Sequence, residues 1–236
     1  SAGVVICPGV GFDVIPTDCI AAVLKEALPD ATHLVLAFDA GGPMSPGTAR
    51  TMAESLRLGQ RGGRVRRNGK IEEVPLAHSW RRVDFEGGSA TAIAIAWGDI
   101  ATAWFSTGIP NIETCVKVPF AIAIAGPALN WVRPLLASAP GQKVLHQLAK
   151  RSRGPNEKEL RMGRSRLWGE VRNAAGEKRT ARLETANGYW LTVNGALMAV
   201  EFLSKNALPG GYYTPSMLMG SRCVEQLPGS TLIRIQ

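Results

Sequence analysis

Histidine, cysteine and aromatic residues are scarce in these 236 residues, and each scarcity removes a class of chemistry. The three histidines, His33, His78 and His146, are scattered, and no HExxH, GxSxG, P-loop or kinase signature accompanies them, so a hydrolase has no visible carrier. The four cysteines, Cys7, Cys19, Cys115 and Cys223, show no CxxC or Cys/His spacing, which speaks against a metal site and fits a reduced, cytoplasmic chain. Aromatics make up 6% of the residues and are not interleaved with basic residues, so bases have no ladder to stack on and nucleic acid is not an expected partner. Long hydrophobic runs are missing too. A long uncharged one, Val118 to Val132, has 15 residues and is broken by Pro119, Gly126 and Pro127. A membrane span needs roughly twenty. The run therefore reads as buried core or as an interfacial segment, with no stable membrane span.

What is present is a chain able to bury one large core: 45% hydrophobic residues, and 27 Lys and Arg against 19 Asp and Glu, for a net charge of +8. Such a balance tolerates anionic ligands such as nucleotides or acyl thioesters without choosing among them. The sequence opens on Ser1 and enters an apolar strand almost at once, which points to a fragment of a longer protein with a partner domain upstream.

The chain is organised around Val4 to Asp18. Four apolar residues run into Pro8-Gly9-Val10-Gly11, and an apolar-periodic segment begins just past Pro16, so the stretch reads as strand, glycine turn and helix. Glycines allow close backbone approach, and a helix start offers unpaired N–H groups; such a corner suits an anion or a cofactor edge. The helix runs from Thr17 to Leu28, and the strand His33 to Phe38 ends at Asp39. A dinucleotide fingerprint on Gly9 and Gly11 with Asp39 as ribose ligand does not complete itself: Val14 stands at the third glycine position, and Asp39 lies about ten residues beyond the spacing of roughly twenty.

Gly41 to Thr48 is a glycine-rich lead-in to a helix from Ala49 to Leu58, with Ser45 placed to cap it. Asn68-Gly69 between Gly63 to Arg67 and Lys70 to Pro75 signals a two-residue hairpin, which makes the flanking basic residues a solvated face. Strands are expected at Arg81 to Phe85, Ser89 to Trp97 and Ile112 to Val118, and a short helix at Ile100 to Phe105. Ser106-Thr107-Gly108 starts a polar loop that could line a pocket. Helical composition dominates Phe120 to Ala149, and the basic stretch Lys150 to Arg166 reads as a solvated loop or helix face. A second hairpin joins Leu167 to Arg172 with Lys178 to Thr185; helices follow at Tyr189 to Lys205 and Ser216 to Leu227. Between them, Tyr212 or Tyr213 could donate a proton to a substrate, although packing is the commoner use of such a tyrosine.

Four segments, PGVGFDVIPTDC (Pro8 to Cys19), GGPMSPGTA (Gly41 to Ala49), WGDIATAWFSTGIPNI (Trp97 to Ile112) and ARLETANGYWLT (Ala181 to Thr192), resemble the saccharopine dehydrogenase-like oxidoreductases, a group that includes trans-acting enoyl reductase relatives. The resemblance implies an α+β fold with a largely antiparallel or mixed sheet and helices on one side, starting from the last strand of a truncated Rossmann domain. It implies residues 1–30 as the end of that domain with its connecting helix. Residues 31–236 would then be a substrate-binding and oligomerisation domain whose last helices return toward the nucleotide. NAD(P) would be bound mainly by a Rossmann portion absent from this chain, with Gly9, Gly11, Phe12 and Asp13 beside the nicotinamide and Asp13 a candidate catalytic group. Ser45, Thr48, Ser106, Thr107 and Tyr213 would line the site of a small, acyl or lipid-like substrate in a homodimer. The longer protein would be an enzyme and this piece alone inactive. Saccharopine reductases proper carry a GLDPG-type run where this chain has Gly11-Phe12-Asp13-Val14-Ile15, which argues against saccharopine as substrate. The rival expectation is a non-catalytic binding or assembly module with the same fold.

Overall fold

In the computed structural model, which describes residues 3–57 and 61–236, the chain enters along a two-residue strand, β1 (Val5–Ile6), and turns through its glycines into α1 (Ile15–Ala27). Ser1, where the fragment expectation begins, and Leu58, the expected end of the second helix, lie outside the described residues. β2 (His33–Asp39) follows, then α2 (Pro46–Ser55), the hairpin of β3 (Gly62–Arg67) and β4 (Lys70–Pro75), and the hairpin of β5 (Trp80–Phe85) and β6 (Gly88–Ile95). Next come α3 (Asp99–Thr107) and β7 (Asn111–Lys117), then α4 (Phe120–Ala125), α5 (Leu129–Ala137), α6 (Ala139–Lys150) and α7 (Glu157–Met162). β8 (Arg164–Arg172), β9 (Lys178–Ala186), α8 (Gly188–Lys205), β10 (Gly211–Tyr212), α9 (Pro215–Met219) and β11 (Arg234–Ile235) complete the chain.

Among the described residues nine strands share one mixed sheet. Its main path runs β11-β9-β8-β2-β7-β3-β4, and β6 and β5 extend it beside the later half of β7. Only the β2–β7 pair is parallel; every other pairing in that sheet is antiparallel. The α+β expectation, a mixed sheet with helices against it, describes this architecture. β1 pairs in parallel with β10, apart from the large sheet.

The main core lies between the sheet and α1, where Ile15, Ile20 and Leu24 meet Leu34, Leu36, Leu167 and Leu183. Gly169 sets their distance: a Cβ there would stand 2.5 Å from Ile20 Cγ2 and 2.8 Å from Leu24 Cδ1, so only glycine lets α1 lie this close to β8. On the opposite face a smaller core gathers Val83, Phe85, Ala92 and Ala94 of the β5–β6 hairpin with Ala37, Cys115 and Trp168.

Local signals hold where turn chemistry is strict. Asn68 and Gly69 both take positive φ, 47° and 77°, as the primed two-residue turn requires. Two expectations need correction. Ser106 and Thr107 are the last turn of α3, which ends at Gly108 in the left-handed conformation, so the loop begins later than the sequence suggested. The expected helix from Ser216 to Leu227 is split: α9 stops at Gly220, whose φ is +95°, and Cys223–Gln226 resumes as a 3₁₀ turn. In the basic stretch from Lys150, α7 carries a complete capping box between Asn156 and Glu159.

Candidate active-site corner

The turn after β1 is held by its own backbone: Val14 N–H donates to Gly9 O at 2.9 Å, and Ile15 N–H to Gly11 O at 3.0 Å. Gly9 has φ +75°, and a Cβ on it would press on Val14 at 2.9 Å; one on Gly11 would meet Thr192 at 2.9 Å. Both glycines therefore serve close packing within the chain. They leave no cradle that a pyrophosphate would fill. The start of α1 is closed as well, with Ile15, Pro16, Thr17 and Asp18 all buried and the Thr17 hydroxyl donating to Val14 O at 3.0 Å. This corrects the reading of the corner as an anion site: its helix start is covered, and the charges gathered there are acidic.

Phe12 and Asp13 point away from the glycines. Phe12 N–H donates to Thr192 Oγ1 at 3.0 Å, and its ring lies so near Gly188 that a Cβ there would come within 3.0 Å. The ring also meets Phe38 edge-on at 5.5 Å between centroids, and Phe38 tilts against Trp97 at 4.7 Å. Trp97 leads into Gly98, and a Cβ on Gly98 would stand 2.6 Å from Asp13 Oδ1. Asp13 as a residue is exposed, yet its carboxyl is tucked against that glycine. Loss of water around the carboxyl raises its pKa to about 6, despite a countervailing hydrogen bond from the Gly98 backbone.

Two further carboxyls stand behind it. Asp99, at the start of α3, and Asp18, in the first turn of α1, are both fully buried. Burial pushes Asp99 well above the usual range, with the Thr17 hydroxyl opposing the rise and the charges of Asp13 and Asp18 adding to it. Asp18 is raised by burial too, partly offset by the hydroxyls of Ser106, Ser216 and Thr214 and by the Ser216 backbone N–H, which donates to Oδ2 at 2.7 Å. These three acids share one neighbourhood without forming a set that could hold a metal ion among the described residues.

The first residues of α8 connect the corner to a second polar group. Tyr189 follows Gly188, and its hydroxyl accepts the Ser45 N–H at 2.6 Å and lies 3.0 Å from Thr48 Oγ1. Burial would raise the tyrosine, but the bonds from Ser45 and Thr48 outweigh it and hold its pKa below the ordinary value. Ser45 also caps α2 through Thr48 N–H at 3.2 Å. Asp39, the residue at the ribose-ligand position of an incomplete fingerprint, pairs with Lys117 at 2.7 Å and accepts the Gly41 N–H at 3.2 Å.

Of the substrate candidates, Ser45 and Thr48 are thus brought together, around a tyrosine that the sequence had not singled out. The others go elsewhere. Ser106 faces Asp18; Thr107 is buried, its hydroxyl donating to Ala103 O and accepting from Ile109 N–H; Tyr213 donates to Pro209 O at 3.1 Å. Gly98, Asp99, Tyr189 and Thr192 were the residues missed. All four lie inside the Trp97 to Ile112 and Ala181 to Thr192 segments, but nothing short of the fold reveals that these segments meet.

No known protein-family profile matches the chain, and no curated protein matches it. Among solved structures it is similar to the apo histidine-tagged saccharopine dehydrogenase (L-Glu forming) from Saccharomyces cerevisiae, with a TM-score of 0.55 at 13% identity, over 100% of this chain and 74% of that one. At that identity the likeness is one of fold alone: the chain shares the mixed α+β architecture of that structure.

Proposed function

We propose that this chain is the substrate-binding and oligomerisation part of an NAD(P)-dependent oxidoreductase that passes hydride to or from a C=N or C=C bond. The observation that carries the reading is Asp13, a carboxyl with a pKa of about 6 at the exposed lip of a corner whose fold is shared with a dehydrogenase. A proton donor or acceptor works best when its pKa lies near the operating pH. Strong perturbation by desolvation is a mark of such groups.

The residues present do not fit a pyrophosphate, so that contact belongs to a Rossmann portion outside this chain. The nicotinamide supplies the hydride when it is bound. This chain's part is to hold a proton at the Asp13 carboxyl, to shield the corner with Phe12, Phe38 and Trp97, and to present the Ser45, Thr48 and Tyr189 hydroxyls to a substrate. The apolar and basic character of the chain suits a small acyl or lipid-like substrate, and a cytoplasmic homodimer is the setting we propose for it.

Titration of NADPH and NADH by fluorescence and calorimetry, into this chain and into the longer protein, tests the split site. Binding to the longer protein alone is expected; tight binding to this chain overturns it. In the longer protein, Asp13→Asn is expected to lower kcat by about 10²-fold and to remove an inflection near pH 6, with the melting temperature at neutral pH no lower than the parent's. Unchanged turnover sinks the role of Asp13.

A further inference from the structure

The expectation that Val118 to Val132 is buried core is not met; its interfacial alternative has the better geometry. Phe120–Ala137 is apolar enough by length and composition to cross a bilayer, and only 11% of it is buried. It is nevertheless divided into α4, a 3₁₀ turn at Gly126–Ala128, and α5, with Pro127 in the break and Pro134 inside α5.

Three consecutive helices each expose an apolar pair one turn apart. These are Phe120 and Ile124 on α4, Trp131 and Leu135 on α5, and Val144 and Leu148 on α6, each more than half exposed and Trp131 89% so. Residues four apart share a helix face, so each pair is a stripe rather than a scatter. The exposure is held in place by polar anchors. Asn130 accepts the Leu76 N–H and donates to Leu76 O, while buried Gln142 donates to Ala53 O and Leu136 O. The helices are bolted to the body by backbone contacts while their apolar side chains remain outside.

Charge identifies what covers them. Between Glu113 and Glu157 the sequence has six Lys and Arg and no Asp or Glu. Lys117 and Arg153 pair with Asp39 and Glu159. Lys143, Lys150 and Arg151, on α6 and at its end, have no ion pair among the described residues, and Lys143 and Lys150 stand beside exposed Val144 and close to Leu148. Helices with Trp, Phe and Leu on an apolar face and only basic charge beside it bind in the plane of an anionic bilayer. The helices themselves carry no acid; Glu54, which pairs with Arg50 and with His146 of α6, and Glu159, which pairs with Arg153, come from neighbouring elements and are engaged in ion pairs.

We propose that α4, α5 and α6 form a docking surface for an anionic lipid membrane, lying on it with Trp131 and Leu135 inserted and the α6 basic residues at the headgroups. The inference stands on exposure and charge and does not depend on the oxidoreductase reading.

Vesicle co-sedimentation tests it, with phosphatidylglycerol-containing and pure phosphatidylcholine vesicles and tryptophan fluorescence as a second readout. The expected result is binding to anionic vesicles, a blue-shifted emission, and affinity that falls with salt. Each basic residue at such a surface is worth about five-fold in partitioning, so Lys143→Gln/Lys150→Gln/Arg151→Gln is expected to lose roughly 10²-fold. Trp131→Ser/Leu135→Ser is expected to abolish the blue shift while circular dichroism and melting temperature stay as in the parent. No binding to anionic vesicles at low salt overturns the proposal. So does a concentration-dependent dimer that Trp131→Ser/Leu135→Ser dissociates, because a second copy then covers the face.

Discussion

At the residue scale, the corner depends on what is absent at position 98. Gly98 has ordinary right-handed backbone angles, φ −54° and ψ −35°, so glycine is not needed there for conformation. It is needed for space, because a Cβ would stand 2.6 Å from Asp13 Oδ1 and 2.9 Å from Val14 Cγ2. Gly98→Ala therefore separates steric from conformational effects. The Asp13 carboxyl must leave its crevice and regain water, and Val14 must shift within a packed core. Overpacking of this kind costs about 1–3 kcal/mol. The variant should unfold at lower denaturant concentration, and titration of the Asp13 carboxyl, followed by NMR, should move from about 6 toward its ordinary value of 3.8. A carboxyl still titrating near 6 would mean that Gly98 does not create its environment.

At the element scale, the helical layer of α4, α5 and α6 is fixed by few side chains, and Gln142 joins two of its neighbours. Its Nε2 donates to Ala53 O on α2 at 2.9 Å and to Leu136 O on α5 at 3.1 Å, and the residue is only 4% exposed. Gln142→Ala takes a donor from each carbonyl, but Ala53 O keeps the Leu56 N–H while Leu136 O loses the Gln142 amide. A buried group left unsatisfied costs about 1–3 kcal/mol, so a loss of about that size is expected by urea denaturation. An unchanged midpoint would show that water reaches these carbonyls. Elements differ in how far the sequence announces them. The hairpin at Asn68-Gly69 was legible because both residues must take positive φ, and α1 and α8 because apolar residues recur on one face. α7 has its signature in the capping-box residues Asn156 and Glu159, set inside a run dominated by charge. β10 and β11, two residues each, have no periodicity to read; pairing with β1 and β9 defines them. The candidate site was half legible. Asp13 stood at the glycine turn, whereas Tyr189, at the start of α8, is tied to the corner only through the docking of Thr192 against Phe12.

At the scale of the whole molecule, two sets of carboxyls oppose each other. Asp13, Asp18 and Asp99 are pushed up by burial, the first to about 6. An acid whose folded pKa lies above its unfolded one holds its proton in the folded state after the unfolded chain has lost it. Stability then falls as pH rises from near 3.8 to the folded pKa, and stays low above that. Glu113 is the reverse. Burial would raise it, but hydrogen bonds and charge from His78 and Arg81 prevail and hold it at about 2, so its contribution is complete above 4.5 and vanishes as pH falls toward 2. His33, lowered by partial burial and by Arg172, favours the folded state more as pH rises through 6.5, but it is one exposed group against three acids. The sum is a stability maximum in mildly acid solution, near pH 4 to 5, where the raised acids are still protonated and Glu113 is already charged. Asp99→Asn keeps the shape and removes the charge of one of the two fully buried acids. Thermal melts from pH 3 to 8 should show the parent losing stability between pH 5 and 8, and the variant losing less over that limb while its acid limb stays the same. A parent profile that is flat from pH 5 to 8, or a variant with the parent's slope, would mean that Asp99 meets water or a cation that relieves its burial.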